Sequence, residues 1–105
     1  MNPKSNINTL IPILVNNAIV DTISFEPNLN LIGVPSYLNE SCNMGLKRIS
    51  DGKYKNKIVL MFEDEFHPKT NHAEFISEEK AYELCVNRGK YEIIKKYNIK
   101  PNYRG

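Results

Sequence analysis

Residues 45–62 read GLKRISDGKYKNKIVLMF. Gly45 to Ile49 is a short candidate strand. Ser50-Asp51-Gly52 is a turn signal, because Asp and Gly tolerate the positive φ of tight hairpins. Residues 53–62 read as a second, longer strand whose start alternates, with Lys53, Lys55 and Lys57 two apart and Tyr54 between. Downstream, residues 63–71 carry three adjacent acids and Pro68 and read as a loop or a flared hairpin tip, and residues 72–76 as a third strand. Ser77-Glu78-Glu79 announces a helix: Ser is a good N-cap, and acids suit the positive end of a helix dipole. Ala81, Leu84, Cys85 and Arg88 fall on one helical face. Gly89 interrupts the helix, residues 91–97 resume it, and Pro101 ends the regular structure.

On the other side of the decisive stretch, residues 1–8 are polar and read as a flexible N-terminus. Residues 9–44 read as a β-rich extension. Two aliphatic runs flank Asn16-Asn17, which suggests a hairpin. Pro27-Asn28 ends that segment, residues 29–34 form another aliphatic run, and residues 37–44 read as a loop or single helical turn. The extension is too apolar for a floppy arm, so it adds strands to the same core or forms a homodimer contact. The expected fold class is α+β: a three-stranded antiparallel sheet packed on a C-terminal helix, with a β-rich N-terminal extension. Residues 9–105 are expected to form one domain, with residues 45–97 as a three-strand-plus-helix module.

The 105 residues allow one domain with a modest core. At 41% hydrophobic and 25% charged, the chain is too apolar to be disordered throughout. No stretch approaches the roughly 20 apolar residues of a membrane span, and the apolar run after residue 9 lacks the features of a secretory signal. These readings point to an intracellular protein, in the cytoplasm or nucleoid of a host cell, with no membrane partner. Cys42 and Cys85 form no CxxC and read as reduced thiols. Cys85 lies on the apolar helix face and is expected to be a buried core residue. Cys42, in a polar loop, is expected to be the more reactive of the two.

The net charge is only +2, but residues 45–57 hold five bases, Lys47, Arg48, Lys53, Lys55 and Lys57, against the single acid Asp51. On an extended second strand, Lys53, Lys55 and Lys57 would share a face and Tyr54 would point the other way. A two-stranded ribbon fits the DNA major groove, where Lys and Arg reach phosphates or guanine edges. The competing reading is a solvated, lysine-rich sheet face that serves solubility.

The order of these residues resembles the plant ethylene-response-factor, or Apetala-type, DNA-binding domain, whose relatives also occur in phage homing endonucleases. The resemblance rests on Gly45-Leu46-Lys47, on Gly52-Lys53-Tyr54 with Ile58 following, and on Phe75-Ile76-Ser77-Glu78-Glu79 with Ala81, over about residues 45–97. Tyr54 stands where that family usually has Trp, Val59 and Ile49 where it has Arg, and its glycine before Phe75 is missing. The resemblance implies a sheet that faces the major groove, with Lys47 and Lys57 at base-reading positions and Tyr54 as a contacting aromatic.

Three other groups of residues could carry chemistry. Glu63, Asp64 and Glu65 are consecutive, so they cannot all face one site on a strand, and they read as a solvated turn. Cys42, His67, His72 and Cys85 have no familiar zinc spacing. Cys42 with His67 or His72 lacks an orienting partner for nucleophilic catalysis. The sequence therefore reads as a non-enzymatic protein with no cofactor and no metal. It is expected to be a small DNA-binding accessory or regulatory protein of a virus or mobile element. The expected DNA-binding residues are Lys47, Arg48, Lys53, Tyr54, Lys55 and Lys57. The alternative is a small protein-binding inhibitor or ligand-sequestering module, such as a phage counter-defence protein.

Overall fold

The computed structural model describes residues 10–29, 42–64 and 67–101. They form strands β1 (Leu10–Val15), β2 (Ala18–Ser24), β3 (Cys42–Arg48), β4 (Ile58–Asp64) and β5 (His72–Ile76), then helices α1 (Glu78–Asn87) and α2 (Tyr91–Tyr97). A short 3-10 turn, Pro68–Thr70, precedes β5. The α+β class holds, but the sheet is larger than the expected three antiparallel strands. It has five strands in the order β2-β1-β5-β4-β3. The β1–β2, β3–β4 and β4–β5 pairs are antiparallel, and β1 runs parallel to β5 through Ile13 and Ala73. The N-terminal strands therefore extend the sheet of the C-terminal module. The physical reason is that β5 would otherwise be an edge strand, and β1 covers its unpaired backbone groups.

Asn16 and Asn17, at φ of 53° and 68°, make the two-residue turn of the β1–β2 hairpin. Paired left-handed residues match the right-handed twist of the flanking strands, which is why Asn serves there. The β1–β2 register shifts between Ile13 and Leu14, where Val20 forms the extra residue of a bulge.

β4 is the central element. Ile58, Val59, Leu60 and Met61 are all buried, because both faces of the sheet are covered. Ile58 and Leu60 pack with Leu29, Met44, Leu46, Ala81, Cys85, Ile93 and Ile99 on the helix side. Val59 and Met61 pack with Ile11, Ile13, Ile23 and Ala73 on the other, where Phe25, Ile49 and Phe75 add partial cover. Ser77 Oγ accepts a bond from the Lys80 amide at 3.1 Å and caps α1 as expected. Gly89, at φ +66°, separates the two helices, and Asn98 ends α2 in a left-handed conformation.

Beyond β2 the chain crosses the non-helical face to reach the far edge of the sheet. There Asn28 and Leu29 donate their amides to the Met44 carbonyl at 3.2 and 2.9 Å. The Asn28 side chain completes the pairing: its amide donates to the Leu46 carbonyl at 3.0 Å and its carbonyl accepts from the Leu46 N–H at 2.8 Å. The outer side of β3 is thus paired at Met44 and Leu46, in part by a side chain that imitates a strand.

Several expectations fall outside the described residues: the flexible N-terminus over 1–8, the aliphatic run beyond Leu29, and the loop over 37–41. Cys42 belongs to β3, paired with Asp64, and not to a loop. Cys85 is 0% exposed. Burial, and then the charge of Glu92, push its thiol above the ordinary range. Since the thiolate is the reactive form, Cys85 should alkylate only through unfolding. Mass-resolved labelling should show it protected in buffer and labelled in denaturant. Rapid labelling of Cys85 in buffer would contradict this packing.

Candidate nucleic-acid interface

Residues 49–57 connect β3 to β4 and carry three exposed lysines within five residues, Lys53, Lys55 and Lys57. They do not extend the hairpin. The pairing ends at Arg48 opposite Ile58, and residues 53–56 form turns. The expected strand over 53–57 is therefore corrected. Gly52 at φ +89° and Asn56 at φ +76° take left-handed conformations that an extended strand excludes. The alternation of Lys53, Tyr54, Lys55 and Lys57 imitates a strand without forming one.

The loop is ordered by its own bonds. The Ile49 amide donates to the Lys57 carbonyl and the Asn56 amide to the Ile49 carbonyl, both at 2.8 Å. Inside this closure, the Lys57 amide donates to the Tyr54 carbonyl at 3.0 Å and the Lys55 amide to the Gly52 carbonyl at 3.2 Å. Ile49 anchors the loop in the non-helical cluster. The Tyr54 ring lies 5.0 Å from the Phe75 ring, tilted by 41°, so it packs on the sheet face opposite the helices. Lys53 Nζ stands over the Tyr54 ring, 5.5 Å from its centroid. Lys53, Lys55 and Lys57 are exposed, and none has an acidic partner among the described residues.

The two bases on β3 are differently employed. Lys47 Nζ meets Glu26 Oε2 at 3.0 Å, with its side chain 25% exposed. Arg48 points to the helix side and is held at four places. Nε donates to the Tyr97 carbonyl at 2.8 Å, Nη1 to the Asn56 carbonyl at 2.7 Å, and Nη2 to Glu78 Oε2 at 2.7 Å and the Asn98 carbonyl at 3.2 Å. One guanidinium thus joins β3, the loop, the start of α1 and the end of α2. Burial alone would raise the Glu78 carboxyl, but the Arg48 bond, the Lys100 amide at 2.9 Å and both positive charges outweigh it and hold the group below its ordinary range. Arg48, Asn56, Glu78, Tyr97, Asn98, Lys100 and Pro101 line an open cleft beside the loop. Tyr97 has its phenol pushed up by burial first and then by the Glu26 carboxylate.

The six residues expected to bind DNA therefore divide. Lys53, Lys55 and Lys57 come together on one exposed loop. Lys47, Arg48 and Tyr54 are tied to Glu26, to the helix ends and to Phe75. Glu26 and Glu78 hold the two β3 bases, and sequence reasoning misses both as partners. Glu78 is visible there only as an N-terminal acid of a helix, and nothing local marks Glu26.

Among the described residues, the other candidate chemistries do not assemble. Glu63 accepts from Asn43 Nδ2 at 3.1 Å, and Asp64 Oδ2 lies 3.1 Å from His67 Nδ1. His72 stacks on Phe62 and shares a 2.9 Å bond with the Thr70 carbonyl. Glu65 and the Cys42 side chain lie outside the described residues. Among the described residues no group of three or more His, Cys, Asp or Glu could hold a metal ion, and no helix is long and apolar enough to cross a membrane.

Fold and site together define a small α+β protein with an ordered, lysine-bearing loop at one end of a mixed sheet. Comparison with protein-family models, with curated proteins and with solved structures finds no match to this chain.

Proposed function

We propose that this chain is a small, non-enzymatic DNA-binding protein, an accessory or regulatory factor of a virus or mobile element acting inside a host cell, and that it engages duplex DNA through residues 49–57. One observation carries the reading. Three lysines stand exposed and without acidic partners, among the described residues, on a loop whose backbone is closed by its own hydrogen bonds. Neutralising phosphates with such groups releases condensed counterions, which drives association with any duplex. Ordering the loop in advance lowers the entropic cost of presenting the charges. The resemblance of residues 45–97 to the Apetala-type domain points the same way.

The test replaces Lys53, Lys55 and Lys57 together with Gln. These side chains contribute no ion pair among the described residues, so thermal stability should stay nearly unchanged. Duplex affinity should fall, and the slope of log affinity against log salt should shrink by about one for each phosphate that is no longer neutralised. Unchanged affinity would sink the assignment of the loop.

A protein partner is the second reading, and the β1–β2 hairpin favours it. Leu10 and Ile19 are 64% and 66% exposed. Leu14 pairs with Ile19, which sets both exposed residues on the same sheet face. An uncovered apolar stripe of this kind suits a protein surface, including a second copy of this chain.

A further inference from the structure

We infer that residues 49–57 bind the sugar–phosphate backbone of the duplex without reading its base sequence. The inference rests on the DNA-binding reading above and sharpens it. Base readout in the major groove relies on side chains with directional, paired hydrogen bonds, above all the Arg fork on guanine and the Asn or Gln amide on adenine. The structure withdraws the groups beside the loop that could do this. Arg48 already donates four bonds, all to the protein's own carbonyls and to Glu78. Engaging a base would mean releasing the ends of both helices. Lys47 is closed onto Glu26. Tyr54 has Phe75 against its ring and Lys53 near it, so the ring is poorly placed to stack on a base.

The shape of the segment agrees. A ribbon that enters the major groove needs two paired strands projecting beyond the body of the protein. Here the β3–β4 pairing stops at Arg48 and Ile58, and a turn-rich loop follows. What projects is Lys53, Lys55 and Lys57. An ammonium on a flexible stem acts as a point charge, which suits a phosphate and discriminates weakly among bases. Asn56 is the exposed amide on the loop. Its backbone is fixed at both ends, by the Ile49 carbonyl and by Arg48.

The test is a competition on the full chain, with short duplexes of AT-rich, GC-rich and mixed sequence displacing a labelled mixed duplex at low and at physiological salt. The inference expects the three affinities to agree within about twofold. It also expects the same agreement in Asn56→Gly, which the left-handed φ at that position accommodates. A preference of about tenfold or more for one sequence, the discrimination one paired base contact supplies, overturns the inference while leaving DNA binding in place. Loss of such a preference in Asn56→Gly would name Asn56 as the reader. Failure to bind any duplex at low salt overturns both readings together and is distinguishable from the first result.

Discussion

Gly45→Ala is expected to remove about 3–5 kcal/mol of stability, a large part of what a domain of this size has. A Cβ at this position would overlap the Glu26 carbonyl oxygen, with the carbonyl carbon at 3.0 Å and Met61 Cε at 3.1 Å. The limit is space and not torsion, since Gly45 is not among the residues with positive φ. The obstacle is backbone, and it cannot swing aside cheaply. Two residues later the chain is held to β3 by four hydrogen bonds, from the Asn28 and Leu29 amides and through the Asn28 side chain. The Lys47–Glu26 ion pair adds a further tie. Relieving the overlap would peel residues 25–29 off the sheet, expose Leu29 and Met44, and reopen the β3 edge. Denaturant unfolding of Gly45→Ala against the wild type measures the destabilisation. A midpoint indistinguishable from the wild type would show that the crossing of Glu26 over Gly45 is wrong.

The second large effect concerns Arg48. Arg48→Met should destabilise by about 2–3 kcal/mol: bonds to charged donors are each worth more than neutral ones, while the partial exposure of Glu78 and the guanidinium moderates the total. The cost includes carbonyls at Asn56, Tyr97 and Asn98 left without this donor. Arg48→Lys should recover only part of it, since an ammonium cannot reproduce a planar fork that points to three elements. Arg48→Met also has a pH signature. Glu78 has its pKa lowered in the folded state from an ordinary value of 4.5. Its contribution is therefore complete above that value and is lost as pH falls through the lower, folded one. Removing Arg48 removes a principal cause of the lowering, so the variant should lose less stability than the wild type on acidification through that window. Denaturant midpoints across acid pH would test both statements. Wild-type stability in Arg48→Lys would contradict the role assigned to the fork.

These two residues also show where the sequence stops being informative. Local chemistry is legible. Asn16-Asn17 announces its hairpin, Ser77 its cap and Gly89 its break, because each acts on neighbours within a few residues. Ala81 and Cys85 can be placed on the buried face from spacing alone. What escapes depends on contacts distant in the chain. Nothing near Ile13 indicates that it lies beside Ala73 in a parallel pair, so the three-stranded expectation misses the mixed five-stranded sheet. In the sequence Gly45 reads as the opening of a motif, whereas its duty in the fold is to let Glu26 pass. The basic segment misleads for a different reason. Lysines separated by single residues satisfy a strand pattern, and only the left-handed preference of Gly52 and Asn56 opposes it. Arg48 reads in the sequence as one more base of that segment, because its acceptors come from residues 56, 78, 97 and 98 and cannot be assembled from local pattern.

The most direct measurement of the central proposal is the affinity of the wild-type protein for a short mixed-sequence duplex over a series of salt concentrations. With Lys53, Lys55 and Lys57 as the phosphate-binding groups, log affinity should fall linearly with log salt, at a slope of about −3. No detectable binding at low ionic strength, or binding with a slope near zero, would contradict the account and transfer the exposed lysines to the protein-binding reading.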